Sequence, residues 1–210
     1  MIFINKGQEP EELKIFNRNR GKKYVKWGDI SIPPSVYIDI KKSLFAEQKG
    51  YCAYCLRCID ENCQIEHFIP RSKDPARIWD YNNMLGVDNA KSIPTKYSGL
   101  CENGRGNADL TLNPLNMIHM QGIRYLRNGK IIHDSFQMDL DNVLRLNHPN
   151  FMAARKAIFD AIDRTYLAYL RQKVDNIYDL LMENYIKSEP TNFNDVAIWY
   201  LNELHSKKII

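Results

Sequence analysis

Apolar and polar positions are arranged in three different ways along the chain, and each predicts a different kind of structure. Pro33-Pro34 is followed by Val36, Ile40, Leu44 and Phe45 at helical spacing. Proline suits the first turn, where backbone N–H groups have no intrahelical partner, and Gly50 is placed to end the helix in a left-handed conformation. From Tyr51 to Leu115 the periodicity disappears, and Cys, Asn, Gly and Pro dominate. A segment this poor in periodic apolar positions is not held by a core alone, which predicts a bound ion as a staple. Next, Ile123–Leu126 and Lys130–His133 flank Asn128-Gly129, the dipeptide best suited to supply two positive φ angles in a tight hairpin. In the last third, Phe151, Ala154, Ile158, Ile162, Tyr166, Leu170, Val174, Ile177, Leu181 and Tyr185 form one long helical stripe. Glu189-Pro190 breaks it, and Asp195 to Leu204 predicts a final short helix. The stripe is core packing or a partner-binding face. Residues 1–31 read as loosely organised, with a short helix opening at Pro10-Glu11-Glu12 and a basic, Gly-interrupted stretch from Arg18 to Lys26.

These elements give an α+β chain with an N-terminal extension and lead-in helix (1–50), an irregular core (51–115) and a hairpin with a helical C-terminal region (116–210). A chain of 210 residues can bury a core of its own. Lys+Arg 29 against Asp+Glu 25 leaves a net charge of +4, which permits a nucleic-acid partner without announcing one. No run approaches the ~18 apolar residues of a membrane helix, and the opening residues lack a secretory signal. The expectation is a cytoplasmic protein with no membrane partner, in which five cysteines serve as metal ligands or buried thiols rather than disulfides.

Three constellations carry candidate chemistry. Cys52-Ala53-Tyr54-Cys55 lets two thiolates reach one tetrahedral ion from a single knuckle, and Cys58, Cys63 and Cys101 are the available partners. A redox CxxC would open a helix after a strand; this one follows a helix. Glu66-His67 ends an apolar strand at Pro70, so neighbouring side chains point to opposite faces and can divide the work. A carboxylate holds a divalent ion, and an imidazole takes the proton of an attacking water. Asn83, whose carboxamide both donates and accepts, can pin the segment bearing His67. Arg71, Lys73, Arg77 and Arg105 stand near enough in sequence to contact phosphates, which would position a strand without reading its sequence.

The order Cys52-x-x-Cys55, Glu66-His67-x-x-Pro70, Asn83 before Met84-Leu85, then Cys101 with Arg105-Gly106-Asn107 resembles the HNH (ββα-metal, His-Me finger) endonucleases. It is similar, more narrowly, to the PtuB-type nucleases of Septu and retron-associated antiphage systems, a likeness carried by Ile4 to Pro10, Phe68 to Ser72, Leu112 to Leu115 and Leu144 to Asn147. The resemblance implies a ββα-metal core that hydrolyses DNA or RNA, with His67 as general base, Glu66 as a ligand of catalytic Mg²⁺ or Mn²⁺, and Asn83 orienting the His loop. It implies that Cys52, Cys55 and Cys101 hold a structural Zn²⁺, and that a PtuA-like ATPase is the partner.

Two positions depart from the pattern. Where the family has His or Asn after the last knuckle cysteine, this chain has Glu102, a competent ligand for a hard ion, with Asn103, Asn107 and Asp109 as alternatives. Where the second knuckle would begin, it has Asp88: an oxygen ligand, unless Cys58 or Cys63 substitutes or the full zinc site is lost. The alternative function is a non-catalytic zinc-knuckle module that binds nucleic acid or serves as a scaffold.

Overall fold

The computed structural model describes residues 1–88, 94–187 and 191–209. Helices α1 (Glu11–Arg20) and α2 (Pro34–Glu47) pack against each other. Leu13, Val36, Ile40 and Leu44 are buried between them, and Ile78, Trp79, Tyr81 and Met84 complete this smaller core. The opening residues are therefore better ordered than their sequence suggests. Leu13 anchors α1, and the Glu12 N–H donates to Asp39 of α2 at 2.9 Å. Gly50 takes the expected positive φ of 75°, and Lys49 before it is left-handed as well.

Strands β1 (Gln64–His67) and β2 (Met84–Val87) pair antiparallel, with Gln64 opposite Val87 and His67 opposite Met84. The buried Gln48 side chain accepts from Gly86 N and donates to Gly86 O, both at 2.7 Å, and that carbonyl also takes the Ala53 N–H at 3.0 Å, so the outer edge of β2 is satisfied. The irregular 51–115 segment is not left without a core. Tyr54, Leu56, Leu85, Val87 and Leu112 join Phe151, Phe159, Ile162 and Leu201 in the larger cluster. Its apolar partners come from far along the chain, which local periodicity cannot register.

A short helix α3 (Glu102–Arg105) and α4 (Met117–Gln121) lead to the hairpin of β3 (Arg124–Tyr125) and β4 (Ile131–Ile132). Its turn corrects the expectation of two positive φ angles: of the two turn residues only Gly129 is left-handed, at 84°. Asn128 instead accepts the Lys130 N–H on its side chain at 3.0 Å. Glycine is required at 129 for a second reason, because a Cβ there would collide with the Met152 carbonyl. The buried Arg155 locks this junction, donating to Gly129 O and Leu146 O at 2.6 Å each; burial lowers its pKa to about 10.

The C-terminal stripe is two helices rather than one. Helix α5 (Pro149–Arg171) ends where Lys173 turns left-handed and Val174 N donates back to Tyr169 O at 3.1 Å; α6 (Ile177–Ile186) then folds back. Helix α7 (Asn194–Ser206) packs on both. Glu189-Pro190, the break expected from sequence, lies outside the described residues. Phe151, Ile162 and Leu181 of the stripe are buried, as is Phe159 beside it, whereas Leu170 and its neighbour Leu167 are exposed. Among the described residues no helix is long and apolar enough to cross a membrane.

Candidate active site

Two sites lie side by side on the 51–107 segment. In the first, Cys52 and Cys55 come from a turn in which Leu56 has a φ of 63° and Cys52 N donates to Arg57 O at 2.8 Å. Cys101 arrives from the opposite side, itself left-handed, with its N–H on Leu144 O at 2.8 Å. All three are buried, and their sulfurs lie within 4.8 Å of one another. Sulfurs ~2.3 Å from a tetrahedral zinc stand about 3.8 Å apart, and Cys52 Sγ is 3.7 Å from Cys101 Sγ. A disulfide would need ~2.05 Å. The three cysteines therefore fit a metal such as zinc. Burial opposes ionisation of Cys52, yet hydrogen bonds from Cys101, Cys55 and nearby backbone N–H groups hold its pKa well below the usual thiol value. Burial raises the pKa of Cys55 and of Cys101.

The other expected ligands stand apart. Asp88 is not among the clustered atoms; its carboxylate faces Arg57 Nη1 at 2.6 Å as a buried ion pair without the alignment of a hydrogen bond. Burial and the nearby Cys52 raise the Asp88 pKa to about 6, against the pull of Arg57, which also lies over the Tyr97 ring. Cys58 and Cys63 are likewise outside the cluster.

The second site forms where β1 ends. The strand register sets His67 opposite Met84, so Asn83 arrives beside the residues after His67, and Phe68 N extends the ladder to Asn83 O at 2.9 Å. The buried Asn83 side chain accepts from Ile69 N at 2.7 Å and donates to Ile69 O at 3.1 Å and Arg77 O at 3.3 Å. It closes both ends of the loop that carries the chain away from His67. That loop turns Ile78 inward, and His67 Nε2 lies 2.9 Å from its carbonyl oxygen. A carbonyl can only accept, so Nε2 carries the proton and Nδ1 the lone pair. The ring sits edge-on to Trp27, with centroids 4.7 Å apart. Burial lowers the His67 pKa to about 4, with Arg71 contributing, although the Ile78 bond opposes the shift.

Glu66 points away from His67 and meets Arg105 of α3. The Arg105 side chain is wholly buried: Nη1 pairs with Glu66 and lies 3.1 Å from the Tyr54 hydroxyl, and Nε donates to Ala108 O at 3.0 Å. It also donates to the carbonyls of His67 and Phe68. Arg105 was expected to contact phosphate. Its position corrects that: it is a buried clamp joining α3, the strand end and Tyr54 of the cysteine turn. Lys73 is ion-paired with Asp109. Arg71 is exposed and lines a cleft of about 200 Å³ with Glu66, His67, Pro70, Gly106 and Asn107. The side chain of Glu102 lies outside the described residues. A larger, shallow depression of about 750 Å³ is lined by Lys130, Asp141, Arg145 and His148, with Asp141 accepting from Asn147 at 2.5 Å.

No protein-family model and no curated protein matches this chain. The functional reading therefore rests on the residues of the two sites. Sequence reasoning missed Trp27, the Ile78 carbonyl and the clamp role of Arg105. Only Trp27 had a side-chain signal, as a tryptophan closing a basic stretch. A backbone carbonyl has none, and a clamp arginine in a polar loop looks like a solvated one.

Proposed function

We propose that the protein is a metal-dependent endonuclease of the HNH kind, which hydrolyses phosphodiester bonds at the Glu66–His67 cleft. The observation that carries this reading is the fixed tautomer of His67: Nε2–H is committed to Ile78 O, and burial keeps the ring unprotonated. His67 Nδ1 accepts the proton of the attacking water. A pKa near 4 is low for a base working near neutrality, and a phosphate in the cleft brings the negative charge that raises it. Asn83 positions the imidazole by fixing the loop behind it, and Arg71 is placed to meet a phosphate oxygen. Glu66 is the carboxylate for the catalytic ion. Arg105 pairs with the same carboxylate and holds it at the cleft. A divalent ion such as Mg²⁺ or Mn²⁺ supplies charge stabilisation at the phosphoryl and leaving oxygens. The cysteine trio holds zinc and with it the wall of the cleft, through Tyr54 and Arg105. The sequence resemblance extends the proposal to an antiphage effector working with an ATPase.

The Arg105–Glu66 pair is the observation that favours the other reading, a zinc-knuckle module without catalysis, since a carboxylate can serve only to pair with a buried cation. Plasmid DNA and bulk RNA are incubated with the protein, with and without Mg²⁺ or Mn²⁺, beside the His67→Ala variant. Ion-dependent cleavage that the variant lacks supports the nuclease, and the polymer cut names the substrate. Binding of either polymer without cleavage under every ion condition supports the module.

A further inference from the structure

We infer that the basic segment from Arg18 to Lys26, which the mechanism leaves unused, is the strand-binding wall of the same cleft, with Lys22, Lys23 and Lys26 meeting the phosphates of a nucleic acid; this rests on the nuclease reading. Five cations fall between Arg18 and Lys26 with no acidic residue among them. The next carboxylate, Asp29, accepts from the N–H and hydroxyl of Ser31 and also interacts electrostatically with Lys26. Lys22, Lys23 and Lys26 are exposed, and among the described residues none has an ion pair. A run of like charges usually means only a solvated surface. Here the fold ties it to the reacting centre.

Trp79 Nε1 donates to Val25 O at 2.7 Å, and Gly28 N donates to the Tyr37 hydroxyl at 3.0 Å. Trp27, between those two anchors, rests edge-on against the His67 ring. The cleft also continues toward this segment. Gln64 and Ile65 border both the Glu66–His67 cleft and an adjoining depression of about 340 Å³, whose other walls include Trp27, Tyr37 and Lys41. A strand lying across Ile65 would thus pass from His67 to a surface walled by Lys41 and by Trp27, the residue that directly follows the lysine run. Tyr24, 66% exposed within the lysine run, gives an unpaired base an aromatic face to stack on.

The test is fluorescence anisotropy of the full chain, without added divalent ion so that nothing is cut, against a labelled DNA duplex and a labelled single-stranded RNA. The triple variant Lys22→Ala/Lys23→Ala/Lys26→Ala should bind the preferred probe at least about 10-fold more weakly at low salt and flatten its log–log salt slope by about 2 to 3. Tyr24→Ala should weaken the single strand more than the duplex. Lys156→Ala/Lys187→Ala/Lys207→Ala removes equal charge from the C-terminal helices and should leave binding within about 2-fold of the parent. Exposed lysines carry no core, so thermal unfolding should be unchanged in the first triple and nearly so in the second, which loses only exposed i,i+4 pairs with Asp160, Glu183 and Glu203. Equal losses in the two triples, or none in the first, would overturn the inference and leave the nuclease reading standing. A parent that binds neither probe would overturn both.

Discussion

The cysteine cluster and the Glu66–His67 cleft share the same stretch of chain and are joined by one arginine, yet they manage charge in opposite ways. At the cluster, three thiols are buried together, and the low-dielectric surroundings make their negative charge useful only to a cation. At the cleft, three polar side chains already have protein partners: His67 has Ile78 O, Asn83 has Ile69, and Glu66 has Arg105. On the proposed reading, one region needs an ion to complete its fold, and the other is complete as a fold and holds a base for a substrate. The difference separates what stabilises the protein from what would make it act.

The largest effect expected is on the cluster. Zinc should copurify with the protein, and chelation or Cys101→Ser should release it and unfold the 51–107 region, seen as lost near-UV circular dichroism; an unchanged melting profile after complete chelation would break the contrast. Next is the joint between the regions. Arg105→Ala leaves Glu66 without its buried partner and should cost about 3–5 kcal/mol in denaturant unfolding. A loss under 1 kcal/mol would mean that the clamp does not couple the sites. Asn83→Ala removes three hydrogen bonds from a buried position and should cost about 2–3 kcal/mol.

The smallest effect is a pH dependence belonging to the cleft alone. The folded His67 pKa of about 4 lies below its unfolded value of ~6.5, so the unfolded chain takes up the proton first. Stability from this group is undiminished above pH 6.5, falls as pH drops toward 4 and is flat below that. Relative to His67→Gln, the wild type should lose about 2 kcal/mol between pH 7.5 and pH 5. Parallel curves for the two proteins would show that His67 is not buried neutral.

Helix α2 and the β3–β4 hairpin are where residue spacing placed them, because proline, glycine and apolar periodicity act locally. The convergence of Cys101 on Cys52 and Cys55 was legible for a different reason: a two-thiolate knuckle needs further ligands, and the chain offers few. The α5–α6 break was not legible. No glycine or proline marks it, and Lys173 accepts a left-handed conformation because the packing of α6 on α7 requires the reversal. Asp88 was misleading in its own way. Its position along the chain suggested a ligand, but Arg57, brought back by the cysteine turn, takes the carboxylate first. Arg105 shows the same limit: whether an arginine faces solvent or a buried glutamate depends on which segments fold over it.

The central claim is that His67 is the base of a hydrolytic cleft. It is tested most directly by the single-turnover cleavage rate of His67→Ala with Mn²⁺, on protein shown to keep its zinc and its circular dichroism spectrum at the assay temperature. A rate lower by about 10²- to 10⁴-fold, with the cluster intact, is the expected result. Cleavage at the wild-type rate by that variant would contradict the account.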